Sequence, residues 1–261
     1  MVLRIFANRN FKIFSMKILV CISKAPDTTS KIAFSDGNSK FDETGVQYIL
    51  NPYDEWYALV RALELKEAGG GSVTVLSVGA ADYEPILRKA LAIGADDAVR
   101  IDAEESDALY VAKQIAAYAQ AQSYDIIFCG KETINYNGSV VPGMIAGLLD
   151  LPYVPLAIKL DLNGNTATIE REYPGGEEIV EVTTPFVVSA AKGMAEQRIP
   201  NMRGIMAAKS KPLQVVPASA GNAATKTTQF SLPPAKGGCK YIDPANAAEL
   251  IQLLHAEAKA L

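Results

Sequence analysis

From Lys17 to Ile22 the chain reads Lys-Ile-Leu-Val-Cys-Ile, a nearly continuous apolar run that ends in a polar turn, Ser23 to Asp27. A strand with apolar side chains on both faces must be covered on both faces. A parallel sheet flanked by helices meets that requirement. The residues that follow keep to the same rule. Asp36-Gly37 marks a hairpin turn. Asn51-Pro52 then opens a helix, with Asn as the N-cap and Pro in the first turn. Trp56, Leu59, Val60 and Leu63 form its apolar stripe, and Gly69-Gly70-Gly71 ends it. Strands at 73–78, 98–101 and 125–129 alternate with helices around 86–93, over 108–119 and up to Leu149. The fold class expected is α/β, a parallel sheet with helices on both faces.

After Leu151 the pattern changes. Segments 156–162 and 166–173 flank Asn163-Gly164, a strong two-residue hairpin signal, and a second strand pair is expected at 179–183 and 186–190. Residues 191–206 read as an irregular loop. Residues 210–240 are rich in Pro, Gly, Ser, Thr and Ala and read as an extended arm. A final helix starts at Asp243-Pro244, and Ala247, Leu250, Ile251, Leu254, Ala258 and Leu261 share one face of it. That face covers either the chain's own core or a partner subunit. The expected division is an extension over 1–15, an α/β domain over 16–209, and an arm with a terminal helix over 210–261. The extension carries Arg4, Arg9 and Lys12 and no acid. It reads either as a targeting peptide or as an upstream start. The second reading is favoured, with Met16 as the natural beginning, because the first strand follows Met16 at once.

Composition narrows the function. The 261 residues are 49% hydrophobic, enough for one sizeable core. A net charge of −4 with interspersed signs lacks the basic footprint of a nucleic-acid binder. Cys21, Cys129 and Cys239 are odd in number and far apart, so a disulfide framework is not expected and a reducing compartment, the cytoplasm, fits better. His255 is the only histidine, which leaves no triad, and no spacing marks a metal site. No apolar run is long enough to span a membrane.

In an open parallel sheet, ligands bind outside the carboxyl ends of the strands, where the strand order reverses. Four segments are expected there: Cys21 to Lys24, Asn51-Pro52-Tyr53-Asp54, Ser77-Val78-Gly79, and Gly130-Lys131-Glu132-Thr133-Ile134-Asn135-Tyr136-Asn137-Gly138-Ser139-Val140-Val141. The last is polar and leads into a helix, whose first N–H groups attract phosphate. On spacing alone it serves equally as an ordinary strand-to-helix loop with a capping Asn or Ser. There is no G-x-x-x-x-G-K-[ST] loop and no G-x-G-x-x-G after the first strand. Nor is there a Ser-Gly-Gly-x-Asp-Ser loop of the adenylating pyrophosphatases.

The order of these pieces resembles the β subunit of electron transfer flavoproteins from Met16 to Leu261. The resemblance rests on Lys17-Ile-Leu-Val-Cys-Ile with Asp27, Asn51-Pro52-Tyr53-Asp54-Glu55, Lys89-Ala-Leu-Ala-Ile-Gly-Ala-Asp96 and Gly130-Lys131. It continues through the block from Ile169 to Ser189 and Pro233-Pro234-Ala-Lys-Gly237-Gly238 before the last helix. It implies an adenine-nucleotide-hydrolase-like fold and a heterodimer with an α subunit that holds most of the FAD. The β subunit would hold AMP, or a second FAD in electron-bifurcating members. By residue matching that nucleotide would touch Cys21, Asn51, Pro52, Tyr53, Asp54, Val78 and the stretch Gly130 to Val141. A docking loop for acyl-CoA or other flavin dehydrogenases matches 196–206, with Glu196, Arg198, Met202, Ile205 and Met206 as its contacts and Met202 as the anchor. A flexible thioether suits differing partner pockets. The other reading of this loop is a segment tucked against its own domain. The chain departs from the family where Asn135, Tyr136 and Asn137 replace acids, and where Val140 and Val141 replace side chains able to bond phosphate. Pro174 also replaces an acid. These changes bear on which nucleotide is held.

The function implied is an electron carrier with no catalytic residue of its own, whose part is to position a flavin. Two other readings stay open: a non-redox adenine-nucleotide-binding regulatory module, and a bifurcating flavoprotein subunit.

Overall fold

The computed structural model describes residues 15–104, 107–134 and 136–260. The expectations for residues 1–14, for Asn135 and for Leu261 lie outside the described residues. In chain order the elements are β1 (Met16–Cys21), β2 (Lys24–Pro26), β3 (Phe34–Ser35), β4 (Lys40–Phe41), β5 (Tyr48–Leu50), α1 (Asp54–Gly69), β6 (Gly71–Val78), α2 (Glu84–Ile93), β7 (Asp97–Asp102), α3 (Ala108–Gln120), β8 (Ile126–Gly130) and α4 (Val141–Leu149). They continue as β9 (Tyr153–Asn163), β10 (Thr166–Tyr173), β11 (Gly176–Thr183), β12 (Phe186–Ala190), α5 (Met202–Ala208), β13 (Leu213–Pro217) and α6 (Ala247–Ala256).

Nine strands form one sheet in the order β11-β10-β9-β12-β8-β1-β6-β7-β13. From β9 to β13 every neighbouring pair is parallel, and β10 and β11 add an antiparallel edge. The fold is therefore α/β. The chain leaves β1 for β6 and β7, then returns to β8 on the other side of β1. The order reverses there, so a crevice opens at the carboxyl ends of β1 and β8.

Strand β1 shows why the apolar run was needed. Ile18 and Val20 pack with Leu59, Leu63, Leu87 and Leu91 of α1 and α2. Leu19 and Cys21 point the other way, into a second cluster with Ile115 of α3 and Ile145 of α4. Burying each large aliphatic side chain contributes about 1.5–3 kcal/mol, and Ile18, Leu19 and Val20 are wholly buried.

Several elements differ from expectation. Segment 186–190 does not pair with 179–183. Strand β12 is buried along its whole length and lies between β8 and β9, whereas β11 is largely exposed and pairs with β10 alone. A run of Phe-Val-Val-Ser-Ala needs cover on both faces, while Glu177, Glu178 and Glu181 suit a charged edge. Segment 213–217, expected within the arm, is the opposite edge strand, parallel to β7; its Pro217 has no donor to lose there. Segment 191–206, expected to be irregular, contains the start of α5. Asn51 does not cap α1, which begins at Asp54 after Tyr53.

The described residues divide into two units. The first holds the nine-stranded sheet. The second comprises Phe34–Phe41 and the residues from Thr228 on. Within it Phe34 of the β3–β4 hairpin stacks on Phe230 with ring centroids 5.2 Å apart, and the Phe230 N–H donates to the Asn38 carbonyl at 2.7 Å. Helix α6 buries none of its residues. No described helix is long and apolar enough to cross a membrane.

Candidate functional site

A cavity of about 310 Å³ lies at the switch point. Its floor is made by strand ends: Cys21 of β1, Leu76, Ser77 and Val78 of β6, and Cys129 and Gly130 of β8. The Ser77 hydroxyl donates to the Ile22 carbonyl at 2.7 Å, which ties the ends of β6 and β1 together beneath the cavity. Cys129 is buried beside Cys21. The Cys21 hydrogen bond and the burial push its thiol well above the ordinary range.

One wall is the β8–α4 loop: Lys131, Glu132, Thr133, Tyr136, Gly138, Ser139, Val140 and Val141. The Asn137 N–H donates to the Thr133 carbonyl at 2.9 Å, and the Ser139 hydroxyl donates to Glu132 Oε2 at 3.2 Å. Asn137 and Ser139 both take positive φ, 48° and 53°. Asn enters that region readily and Ser less so. Val140 precedes α4 and offers no capping side chain. The first N–H groups of α4, with the positive end of its dipole, thus lie at the cavity's edge without a side-chain acceptor among the described residues.

Helix α1 supports this loop from behind. The Asn51 side-chain N–H donates to the Glu132 carbonyl at 2.9 Å; its Oδ1 is buried and has no hydrogen-bond partner among the described residues. Glu55 accepts from the Ser23 N–H at 2.9 Å and from the Ser23 hydroxyl at 2.8 Å. A Cβ on Gly130 would sit 2.7 Å from Glu55 Cγ and 2.9 Å from the Glu55 nitrogen, so only glycine lets α1 approach β8 this closely. Burial raises the Asp54 carboxyl above its ordinary value, partly offset by the charge of Lys131.

The opposite wall comes from Asp107, Ala108, Val111 and Ile115 at the start of α3, with Thr225 and Thr227. Asp107 Oδ1 accepts from the Tyr110 N–H at 2.6 Å and caps α3. Its Oδ2 accepts from the N–H groups of Ala224 and Thr225, the latter at 2.6 Å. About two turns further, Gln114 and Ser219 exchange two hydrogen bonds of 2.9 and 2.7 Å. The segment after β13 is thereby strapped along α3, across the cavity.

The structure brings Cys21, Val78 and most of the 130–141 stretch to one cavity. Ile134 and Asn137 do not reach its wall. Asn51, Pro52, Tyr53 and Asp54 lie behind it: Asn51 and Asp54 are buried, and Tyr53 is half exposed. Ser23 falls within the expected segment from Cys21 to Lys24, whereas Glu55, Asp107, Thr225 and Thr227 are not expected at the site from sequence. Asp107 carried a readable signal, an Asp just before an apolar helical stripe. Nothing local marked its bond to residues more than a hundred positions away.

The 196–206 segment forms a separate feature. Asn201 caps α5 by accepting the Gly204 N–H at 2.8 Å. Gly204 is pressed on α2, where a Cβ would lie 2.3 Å from the Ala92 carbonyl oxygen. Arg198 forms a two-pronged ion pair with Glu67 of α1, at 2.6 and 3.0 Å, and its carbonyl accepts from the Trp56 indole at 3.3 Å. With its base held, the segment presents Ile199, Met202, Ile205 and Met206 to solvent. Glu196 is also exposed.

The model of the electron transfer flavoprotein domain matches residues 39–221. The electron transfer flavoprotein subunit beta of Bacillus subtilis (strain 168) is 36% identical over 260 residues, covering 94% of this chain and all of that one. The corresponding subunit of Syntrophomonas wolfei is 36% identical over 224 residues, 85% of this chain and 88% of its own. The acryloyl-CoA reductase electron transfer subunit gamma of Anaerotignum propionicum is 33% identical over 205 residues, 76% of each chain.

Proposed function

The chain belongs to the electron transfer flavoprotein family and matches its β subunits, and from that premise we propose that it pairs with an α-type subunit to carry electrons through FAD. Most of the FAD would be held by the α-type partner. The cavity of this chain would hold AMP. Dehydrogenases that handle acyl-CoA esters would be the electron donors.

The observation that carries the nucleotide reading is the cavity at the switch point, closed on one side by an uncapped helix start. An AMP phosphate is the anion suited to that helix end. Lys131, on the same wall, brings a positive charge that is shared with Glu132 at 3.6 Å. The volume, about 310 Å³, lies at the bottom of the range that small-molecule sites occupy. That favours a mononucleotide over a second FAD. With phosphate held by backbone donors, valines at 140 and 141 are no obstacle.

Two features support partners. Helix α6 buries none of its residues and leaves Leu250 and Ile251 exposed, as expected of a face that a second chain covers. The exposed Ile199, Met202, Ile205 and Met206 form an adaptable apolar patch on a braced base. The relative named as an electron transfer subunit of acryloyl-CoA reductase supports a CoA-ester redox partner. The chain's cysteines are free, which suits the reducing cytoplasm.

Co-expression with an α-type subunit tests the pairing. A yellow complex that co-elutes as a one-to-one pair supports the reading. A colourless chain that elutes alone and binds adenine nucleotide without flavin would make it a regulatory binding module instead.

A further inference from the structure

We propose that Cys21 and Cys129 form a dithiol site for trivalent arsenic on the floor of the cavity.

The two thiols are brought together by strand register. β1 and β8 pair in parallel with Ile18 beside Ile126, Leu19 beside Ile127 and Val20 beside Phe128. One residue further, the same register sets Cys21 beside Cys129. Neighbouring strands lie about 4.8 Å apart. Both side chains point to the same face, into the cluster formed with α3 and α4. Both are free and both line the cavity.

The surroundings select the chemistry. The pair is almost wholly buried from bulk water, and the cavity gives a small molecule a way to it. Thiolate chemistry is disfavoured, since burial and the shared hydrogen bond keep Cys129 protonated. A direct disulfide would need an oxidant to take two electrons from the pair, and both thiols are free. A one-atom bridge leaves the sulfurs near contact distance. Trivalent arsenic supplies that atom without any change of oxidation state. With an organoarsine oxide, two As–S bonds form, two S–H bonds and the As=O bond break, the oxygen leaves with both protons as one water, and the third arsenic valence stays on its own carbon. No third ligand is required. Among the described residues, no group of three or more His, Cys, Asp and Glu is arranged to hold a metal ion.

The test uses phenylarsine oxide on the full chain carrying Cys239→Ser, which removes the exposed thiol. Intact mass is read after washing with excess 2-mercaptoethanol. One phenylarsenic group per chain, gained with loss of one water and released by 2,3-dimercaptopropanol, is the expected result. Cys21→Ala and Cys129→Ala should each lose the wash-resistant adduct. Equal retention by either single variant overturns the site. Should a variant fail to fold by circular dichroism, peptide mapping of the parent adduct decides. Peptides holding Cys21 and Cys129 joined through arsenic support the site, and an adduct on one peptide alone contradicts it.

Discussion

Asp107 accepts the backbone N–H of Thr225 at 2.6 Å with one carboxylate oxygen, while the other caps α3 through the Tyr110 N–H at the same distance. One side chain thus starts a helix and fastens the segment that walls the cavity. Asp107→Ala is expected to speed AMP dissociation severalfold while leaving the sheet intact. Stopped-flow fluorescence with a ribose-labelled AMP measures the rate; an unchanged rate would show that the strap does not retain the ligand.

Val140→Asp separates the fold from the ligand. Pro142 has no N–H to offer, so a carboxylate at the N-cap of α4 acts on the Gly143 N–H and the helix dipole, and stabilises the helix by about 0.3–1 kcal/mol. The same charge would sit where phosphate is expected. Raised thermal stability together with about tenfold weaker AMP binding, ~1.4 kcal/mol, is the expected pair of results. Calorimetric titration and a melting curve measure them. Unchanged affinity in the variant would place the phosphate elsewhere.

Two glycines in the same unit should respond in opposite ways. Gly130→Ala drives a Cβ to within 3 Å of Glu55 and should cost about 1–3 kcal/mol, with weakened nucleotide binding. Gly147→Ala, inside α4 with nothing within 4 Å of its Cβ, should gain about 0.5–1 kcal/mol. Urea midpoints report both.

The ion pair at the base of the exposed apolar segment carries a pH signature. The Arg198 hydrogen bond holds the Glu67 carboxyl below its ordinary 4.5. Its folded value is therefore the lower one. The stabilisation is fully present above pH 4.5 and is lost as pH falls through the folded value. The pair is largely solvent-exposed, so it contributes only about 0.2–1 kcal/mol. Trp56 is the single tryptophan and donates to the Arg198 carbonyl, so its emission reports the base of the segment. Emission should hold steady from pH 7 to 4.5 and shift below that. In Glu67→Gln it should show no such step.

The parallel core was legible because Lys17 to Ile22, and the runs like it, are apolar on both faces, and period alone demands a covered sheet. The crevice was legible for the same reason, since the switch point follows from strand order. The placement of β12 was not. Phe186–Ala190 follows β11 closely in sequence, and only its burial on both faces distinguishes a central strand from a hairpin partner. Strand β13 was hidden by its surroundings, because Leu213–Pro217 sits in a Pro- and Ser-rich stretch whose strand character comes from pairing with β7. The site was legible on the side built from local sequence, Gly130 to Val141. It was not legible on the side that Asp107 and Thr225 close, where the bond spans 118 positions. Asn51 carries the local signature of a cap, yet its side chain donates to the Glu132 carbonyl, a contact no local rule contains.

Nucleotide content of the purified pair tests the central claim most directly. Denaturing the co-expressed heterodimer and separating the released nucleotides by chromatography should give one FAD and one AMP per pair. Two FAD and no AMP, or FAD alone, would contradict a mononucleotide in the cavity between Cys21, Val140 and Thr225.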